Sequence, residues 1–195
     1  MSKRLNFQKQ FAKGKIVNLG CGDIPVNLGE NVTHVDIDNY NYPNFIQADI
    51  HHLPFKDDEF DTAVLGDILE HSPDPIQMLK ESSRVAKVLV ATIFEHTEEL
   101  FPGIDNSERR GYPTTEAWYK TIPGYNSCTE IVPDDKIPHH YHIQRFADLD
   151  ILKLYNNAGL TMDFYEKVQE GLENGKPYYN WLILSHKRSD TNASY

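Results

Sequence analysis

Cysteine is nearly absent from this 195-residue chain: Cys21 and Cys128 are the two it has. They form no disulfide framework, and a reducing, cytoplasmic compartment is the simplest expectation. Positive charge is also scarce, with 19 Lys and Arg against 29 Asp and Glu and a net charge of −10. Nucleic-acid binding needs clustered Lys and Arg to neutralise phosphates, so no nucleic-acid partner is expected. No apolar run approaches the roughly 20 residues of a membrane span. Residues 1–15 carry Lys3, Arg4, Lys9, Lys13 and Lys15 without an apolar signal core, and read as a short helix or arm covering the domain. Internal repeats are missing. The length suits one domain over 1–188 with a real core, then a flexible polar tail at 189–195.

What stands out is Ile16-Val17-Asn18-Leu19-Gly20-Cys21-Gly22-Asp23, an apolar run ending in Gly-Cys-Gly. A second run, His34-Val35-Asp36-Ile37-Asp38, ends in an acid. A buried strand that stops at a glycine turn lets backbone N–H groups approach a ligand closely. An acid at the tip of the next strand can accept hydrogen bonds from two ribose hydroxyls. Together they predict a nucleoside pocket at the carboxyl edge of a parallel sheet. The plain structural alternatives are a turn for the glycines and a solvated strand end for Asp36.

Strands are expected at Lys15–Gly20, Val32–Ile37, Asn44–Ala48, Asp61–Gly66 and Lys87–Ile93, the last apolar enough to be covered on both faces. Asp74-Pro75 opens a helix, with Ile76, Leu79 and Ala86 on one side and Met78 and Val85 flanking. Asp148 caps a late helix to Asn157, with Leu149, Leu152 and Tyr155 inward and Gly159 as its stop. Two last strands, Thr161–Val168 and Tyr179–Lys187, form a hairpin around Glu170–Pro177. Trp181 reads as core.

Residues 95–146 break the alternation. Pro102, Pro113, Pro123, Pro133 and Pro138 forbid a long regular element, while Trp118, Tyr119 and other aromatics argue against disorder. An inserted lid over the ligand edge is the expectation, with Trp118 and Tyr119 as a stacking platform. His96 is the candidate general base for a hydroxyl or amine acceptor, and His142 of the His139-His140-Tyr141-His142 cluster is the reserve. That cluster has no identifiable third ligand, so no metal site is expected.

The ordered series continues with Gln47-Ala48-Asp49-Ile50, Leu53-Pro54-Phe55…Phe60-Asp61, Gly66-Asp67-Ile68-Leu69-Glu70-His71 and Glu81-Ser82-Ser83-Arg84-Val85. From Lys15 to Ile93 the chain resembles the class I S-adenosylmethionine-dependent methyltransferases, and the Leu-Pro-Phe and Leu-Glu-His runs resemble the subgroup called methyltransferase type 11. The resemblance implies a Rossmann-like, doubly wound α/β fold. Its sheet would be mostly parallel and seven-stranded, with an antiparallel last strand. It implies S-adenosyl-L-methionine as cofactor. Asn18, Gly20, Cys21 and Gly22 would form the turn under its methionine part, with Cys21 lending its backbone N–H. Asp36, with Ile37 beside it, would hold the ribose. Asp49 would meet the adenine amine, with Ile50 packing on the ring. Gly66 and Asp67 would border the methionine moiety, and His71 would be a cofactor neighbour or a helix cap. Asp49 also reads as ordinary turn chemistry.

Three departures from the family pattern stand out. Asn18 replaces the usual acid, Asp23-Ile24-Pro25 replaces the third glycine, and too few residues follow Gly22 for a full helix before the second strand. A subgroup with this short connection resembles enzymes of sugar and cell-surface glycan biosynthesis. The expected activity is methyl transfer to a small-molecule oxygen or nitrogen, such as a sugar or glycan precursor, in a monomer or homodimer. Two alternatives stay open at this point. One is a nicotinamide-type oxidoreductase, against which Pro25 stands at the final glycine position. The other is a non-catalytic partner that binds the cofactor.

Overall fold

The computed structural model describes residues 2–23, 25–72, 74–95, 146, 148–173 and 175–188. His96, Trp118, Tyr119, Cys128, His139, His140 and His142, and the tail at 189–195, lie outside the described residues.

Strands β1 (Ile16–Leu19), β2 (Val32–Asp36), β3 (Phe45–Gln47), β4 (Phe60–Gly66) and β5 (Ala86–Phe94) are followed by β6 (Leu160–Glu173) and β7 (Lys176–Lys187). Their order across the sheet is β3-β2-β1-β4-β5-β7-β6. The pairs among β1 to β5 are parallel, while β7 runs antiparallel between β5 and β6. This is the doubly wound mixed sheet expected, and it brings the carboxyl ends of β1, β2 and β4 to one edge around the reversal of strand order between β1 and β4.

Both faces are covered, which is why β1, β4 and β5 read as continuous apolar runs. On one face Leu19, Ala63, Leu65, Leu89 and Ile183 pack under α2 (Pro75–Val85) and α3 (Asp148–Asn157). On the other, Val64, Val90 and Leu182 pack under Phe7 and Ala12, the latter just past α1 (Lys3–Phe11). Asp74 caps α2 by accepting from the Gln77 N–H at 2.9 Å. The expected α2 stripe shifts: Met78, Leu79 and Val85 are buried, whereas Ala86 already belongs to β5, paired with Phe60.

The α3 expectation fails more clearly. Leu149 and Leu152 are exposed, at 67% and 44%, and the inward stripe is Ile151, Leu154, Tyr155 and Ala158. Two overlapping stripes compete in that segment, and the winner has the full i, i+3, i+4, i+7 spacing. The hairpin turn is also tighter than expected. Both strands run on to Glu173 and from Lys176, with Gly175 at φ +79°. The Asn174-Gly175 dipeptide, a strong two-residue hairpin signal, was the overlooked cue.

The Leu-Pro-Phe and Glu-Ser-Ser-Arg runs turn out to be halves of one clamp. Arg84 donates to the carbonyls of Phe55 at 2.8 Å and Leu53 at 3.1 Å, and to Asp57 at 2.8 Å. It also holds Glu81 through two bonds, and Glu81 in turn accepts the Leu53 N–H at 2.8 Å. The Arg84 contact holds the Glu81 carboxyl below its ordinary range. Such a group adds stability above its unfolded pKa, and that stability is lost as pH falls through the lower folded value. Arg84→Ala should therefore cost about 1–2 kcal/mol at neutral pH, discounted for partial exposure. The gap to wild type should narrow near pH ~3 in urea titrations.

Candidate functional site

A cleft of about 430 Å³ opens at the carboxyl edge of the sheet, and Gly20, Gly22, Asp36, Ile37, Asp49, Ile50, Asp67 and His71 all line it. These are sequence-selected residues from four separate stretches of chain, and the strand order is what assembles them. Gly20 sits at φ +67°, and a Cβ there would lie 2.4 Å from Ile68 Cγ1, so side chains are barred at that point.

The glycine turn does not work as expected, however. The N–H groups of Gly20 and Cys21 both donate to the Val35 carbonyl, at 2.9 and 3.1 Å. The Gly22 N–H donates to Asp36 Oδ2 at 2.9 Å. All three donors are thus spent on the turn itself. The turn supplies shape to the cleft, and the expectation that Cys21 offers its N–H to a ligand is corrected.

Three further residues stand away from the cleft wall. Asn18 is buried, with its Nδ2 3.4 Å from His34 Nδ1. Gly66 faces α1, where an added Cβ would meet Gln8 Nε2 at 2.7 Å. Cys21 is buried, with Sγ 2.7 Å from the Tyr42 hydroxyl, which itself donates to the Gly22 carbonyl at 2.8 Å. No helix follows β1 among the described residues; Tyr42 latches the turn instead. Burial, partly offset by Tyr42, pushes the Cys21 thiol up to about 11.

Asp36 bridges the turn. Its Oδ1 accepts the Asp38 N–H at 3.1 Å, and its Oδ2 accepts that of Gly22. Each carboxylate oxygen keeps a further lone pair for a ligand hydroxyl. Asp49 accepts from the His51 backbone at 2.9 Å, and its Oδ1 lies 2.6 Å from His51 Nδ1. Burial pushes the Asp49 carboxyl up, but the His51 contacts more than offset this and hold it below its ordinary value. His51 Nε2 lies 2.8 Å from Ser72 Oγ, so a side-chain chain fixes Asp49 from behind. His51 and Ser72 also line the cleft, and sequence reading missed both. The available signal was the Asp-x-His spacing.

Asp67 is held at φ +52°. Its Oδ1 accepts from Thr92 Oγ1 at 2.7 Å and Asn180 Nδ2 at 2.9 Å, and its Oδ2 forms an ion pair with Arg4. Burial raises Asp67 against these partners. Burial, reinforced by the Asp67 charge, raises Glu70 well above its ordinary value. Glu70 accepts the Phe94 N–H at 3.0 Å while its Oε2 has no hydrogen-bond partner. Nothing local in sequence pointed to Arg4 or Asn180, which are 63 and 113 positions from Asp67.

Residues 17–89 match the family described as "Methyltransferase domain". A 74-residue stretch is 34% identical to demethylmenaquinone methyltransferase of Staphylococcus carnosus, covering 38% of this chain and 29% of that protein. The Bacillus pumilus protein of the same name matches at 33% over 75 residues, covering 38% and 31%. The chain thus spans about a third of the length of these relatives. Among solved structures, a methyltransferase from Methanosarcina mazei superposes with a TM-score of 0.61 at 16% identity, covering 92% of this chain and 95% of that one. The 1,6-didemethyltoxoflavin-N1-methyltransferase of Burkholderia thailandensis superposes with a TM-score of 0.60 at 13% identity, covering 96% and 80%. The fold is that of the class I S-adenosylmethionine-dependent methyltransferases. Within that fold, this methyltransferase-like chain departs from a helix-led glycine loop by using the Tyr42 latch.

Burial makes Cys21 inert. At pH ~8 its reaction with iodoacetamide should be on the order of 100-fold slower than that of an exposed thiol, as read by peptide mass spectrometry. An ordinary exposed-thiol rate at Cys21 would show that the latch opens in solution.

Proposed function

We propose that the cleft binds S-adenosyl-L-methionine and that the protein transfers its methyl group to an oxygen or nitrogen of a small molecule. The observation that carries this reading is the pair of carboxylates at the ends of neighbouring strands, Asp36 and Asp49, both opening on one cleft that Gly20 keeps free of side chains. Asp36 would take the ribose hydroxyls on its remaining lone pairs. Asp49, fixed by His51, would accept from the adenine amine. Ile37 and Ile50 would pack near the nucleoside. Gly20, Gly22, Asp67 and His71 would surround the methionine end.

The bound cofactor supplies an electrophilic methyl group. The chain's own work is then to align the acceptor and keep water out. His96 is the proposed base for a hydroxyl acceptor, with His142 in reserve. The sequence resemblance implies a sugar or glycan precursor as acceptor, whereas the second cavity described below favours a flat aromatic one. The nicotinamide alternative needs a pyrophosphate seated on a helix N-terminus after β1. The described residues there form no helix, which favours the methyl-donor reading.

Calorimetry should give micromolar affinity for S-adenosylmethionine or S-adenosylhomocysteine, on the order of −8 kcal/mol. Absence of saturable heat with either ligand would sink the proposal. Asp36→Ala should weaken binding by about 2–3 kcal/mol through lost charge-assisted hydrogen bonds. It should also lower folding stability by about 1–2 kcal/mol, because the Gly22 and Asp38 N–H groups lose their acceptor. Methyl release against a panel of phenols, amines and nucleotide sugars tests the acceptor class. His96→Ala should reduce the maximal rate by roughly 100-fold if that imidazole is the base.

A further inference from the structure

We propose that a second cavity, sharing Asp67 with the cleft, is the binding site for a flat aromatic acceptor carrying its reactive hydroxyl or amine groups on one edge. This rests on the methyl-transfer reading of the cleft. The cavity has a volume of about 360 Å³ and is walled by Arg4, Asp67, Phe94, Leu172, Tyr178 and Asn180. Asp67 is the one residue that lines both spaces. Asp67 is therefore where a ring seated in the second cavity comes nearest the first.

The apolar wall is a built feature. Strand β6 shifts register between Gln169 and Gly171, leaving Glu170 as the extra residue. Bulges of this kind re-aim side chains, and they concentrate near active sites. Here the bulge does two things. It turns the Glu170 carboxylate onto the start of α1, where Oε2 accepts the Lys3 and Arg4 N–H groups at 3.1 and 3.3 Å. It also sets Gly171 opposite Tyr178. A Cβ at Gly171 would lie 2.7 Å from Tyr178 Cε1, so the ring rests where only glycine leaves room. Tyr178 also stacks on Phe94, with ring centroids 5.6 Å apart and planes 28° from parallel. Leu172 continues this wall at the rim, two-thirds exposed.

The polar wall explains why a flat ring is the occupant. Asn180 Nδ2 is spent on Asp67, and Asp67 is already held by Thr92, Asn180 and Arg4. What remains is the rest of the Arg4 guanidinium, with its side chain about one-third exposed, and the Tyr178 hydroxyl. A sugar would bring a ring of hydroxyls to a wall whose acceptors are mostly used, leaving several unbonded. An aromatic ring needs one polar contact at its edge and gains a face against Tyr178.

Binding of catechol, with methyl glucopyranoside as the sugar comparison, can be followed by ligand-observed NMR on protein saturated with S-adenosylhomocysteine. Catechol should bind wild type, and Tyr178→Phe within about twofold, but Tyr178→Ala at least about fivefold more weakly. Affinity for S-adenosylhomocysteine should stay within about twofold throughout, since Tyr178 does not line the cleft. If Tyr178→Ala does not fold, Leu172→Arg at the exposed rim replaces it, with the same weakening expected. Unchanged catechol affinity in the folded variant overturns the site, as does saturable glucoside binding without catechol binding. A wild type that binds S-adenosylhomocysteine but not catechol also overturns it, leaving the cofactor reading intact. Tyr178-dependent catechol binding without S-adenosylhomocysteine binding supports the ring site and overturns the cofactor reading instead.

Discussion

The half-buried carboxylate of Asp67 is the constraint around which the functional edge of this protein is organised. A charge taken out of water is tolerated only when its lone pairs are filled. Asp67 recruits for this purpose from three directions: Arg4 of α1, Thr92 of β5 and Asn180 of β7. Gln8 extends the network by donating to Thr92 Oγ1 at 3.1 Å. The helix that covers one face of the sheet is thus pinned by polar contacts at the same point where the cleft is walled. Glu70 answers to the same constraint, because burial and then the nearby Asp67 charge raise its carboxyl well above the ordinary value.

The glycine turn follows a related logic. Its backbone donors are consumed internally by Val35 and Asp36, so the loop holds its shape without a ligand. The usual helix after β1 would have brought rigidity along with free N–H groups. In this chain Tyr42 brings the rigidity, stacked among Tyr40 and Phe45 and bonded to both Cys21 and Gly22. Recognition then falls to the carboxylates at the strand ends.

How much of this could be read beforehand depends on the range of the interaction. The strands of the parallel core were legible because burial on both faces writes a continuous apolar run, as in Lys87–Ile93. Asp36 was legible because it ends the second strand, and Asp49 was legible through the family resemblance. The inner face of α3 was not, since the Leu149 and Ile151 stripes overlap and only packing chooses between them. Asn18, Cys21 and Gly66 lie beside cleft residues in sequence yet face His34, Tyr42 and Gln8 in space. Arg4, Asn180 and the bulge at Glu170 join segments separated by most of the chain, and no local pattern records such a pairing.

The docking of α1 carries a consequence for biosynthesis. Its start is capped by Glu170 on β6, and its Arg4 reaches the same carboxylate as Asn180 on β7. Helix α1 can meet Asp67 and Thr92 before the hairpin is made, but it gains its Glu170 and Leu182 contacts only with the hairpin. Translation at roughly 5–20 residues per second makes the wait for the hairpin many seconds, far longer than a helix needs to form. During it Phe7 lacks its hairpin partners Phe164 and Leu182. A nascent chain cut short of the hairpin would lack the Leu172, Tyr178 and Asn180 wall of the second cavity.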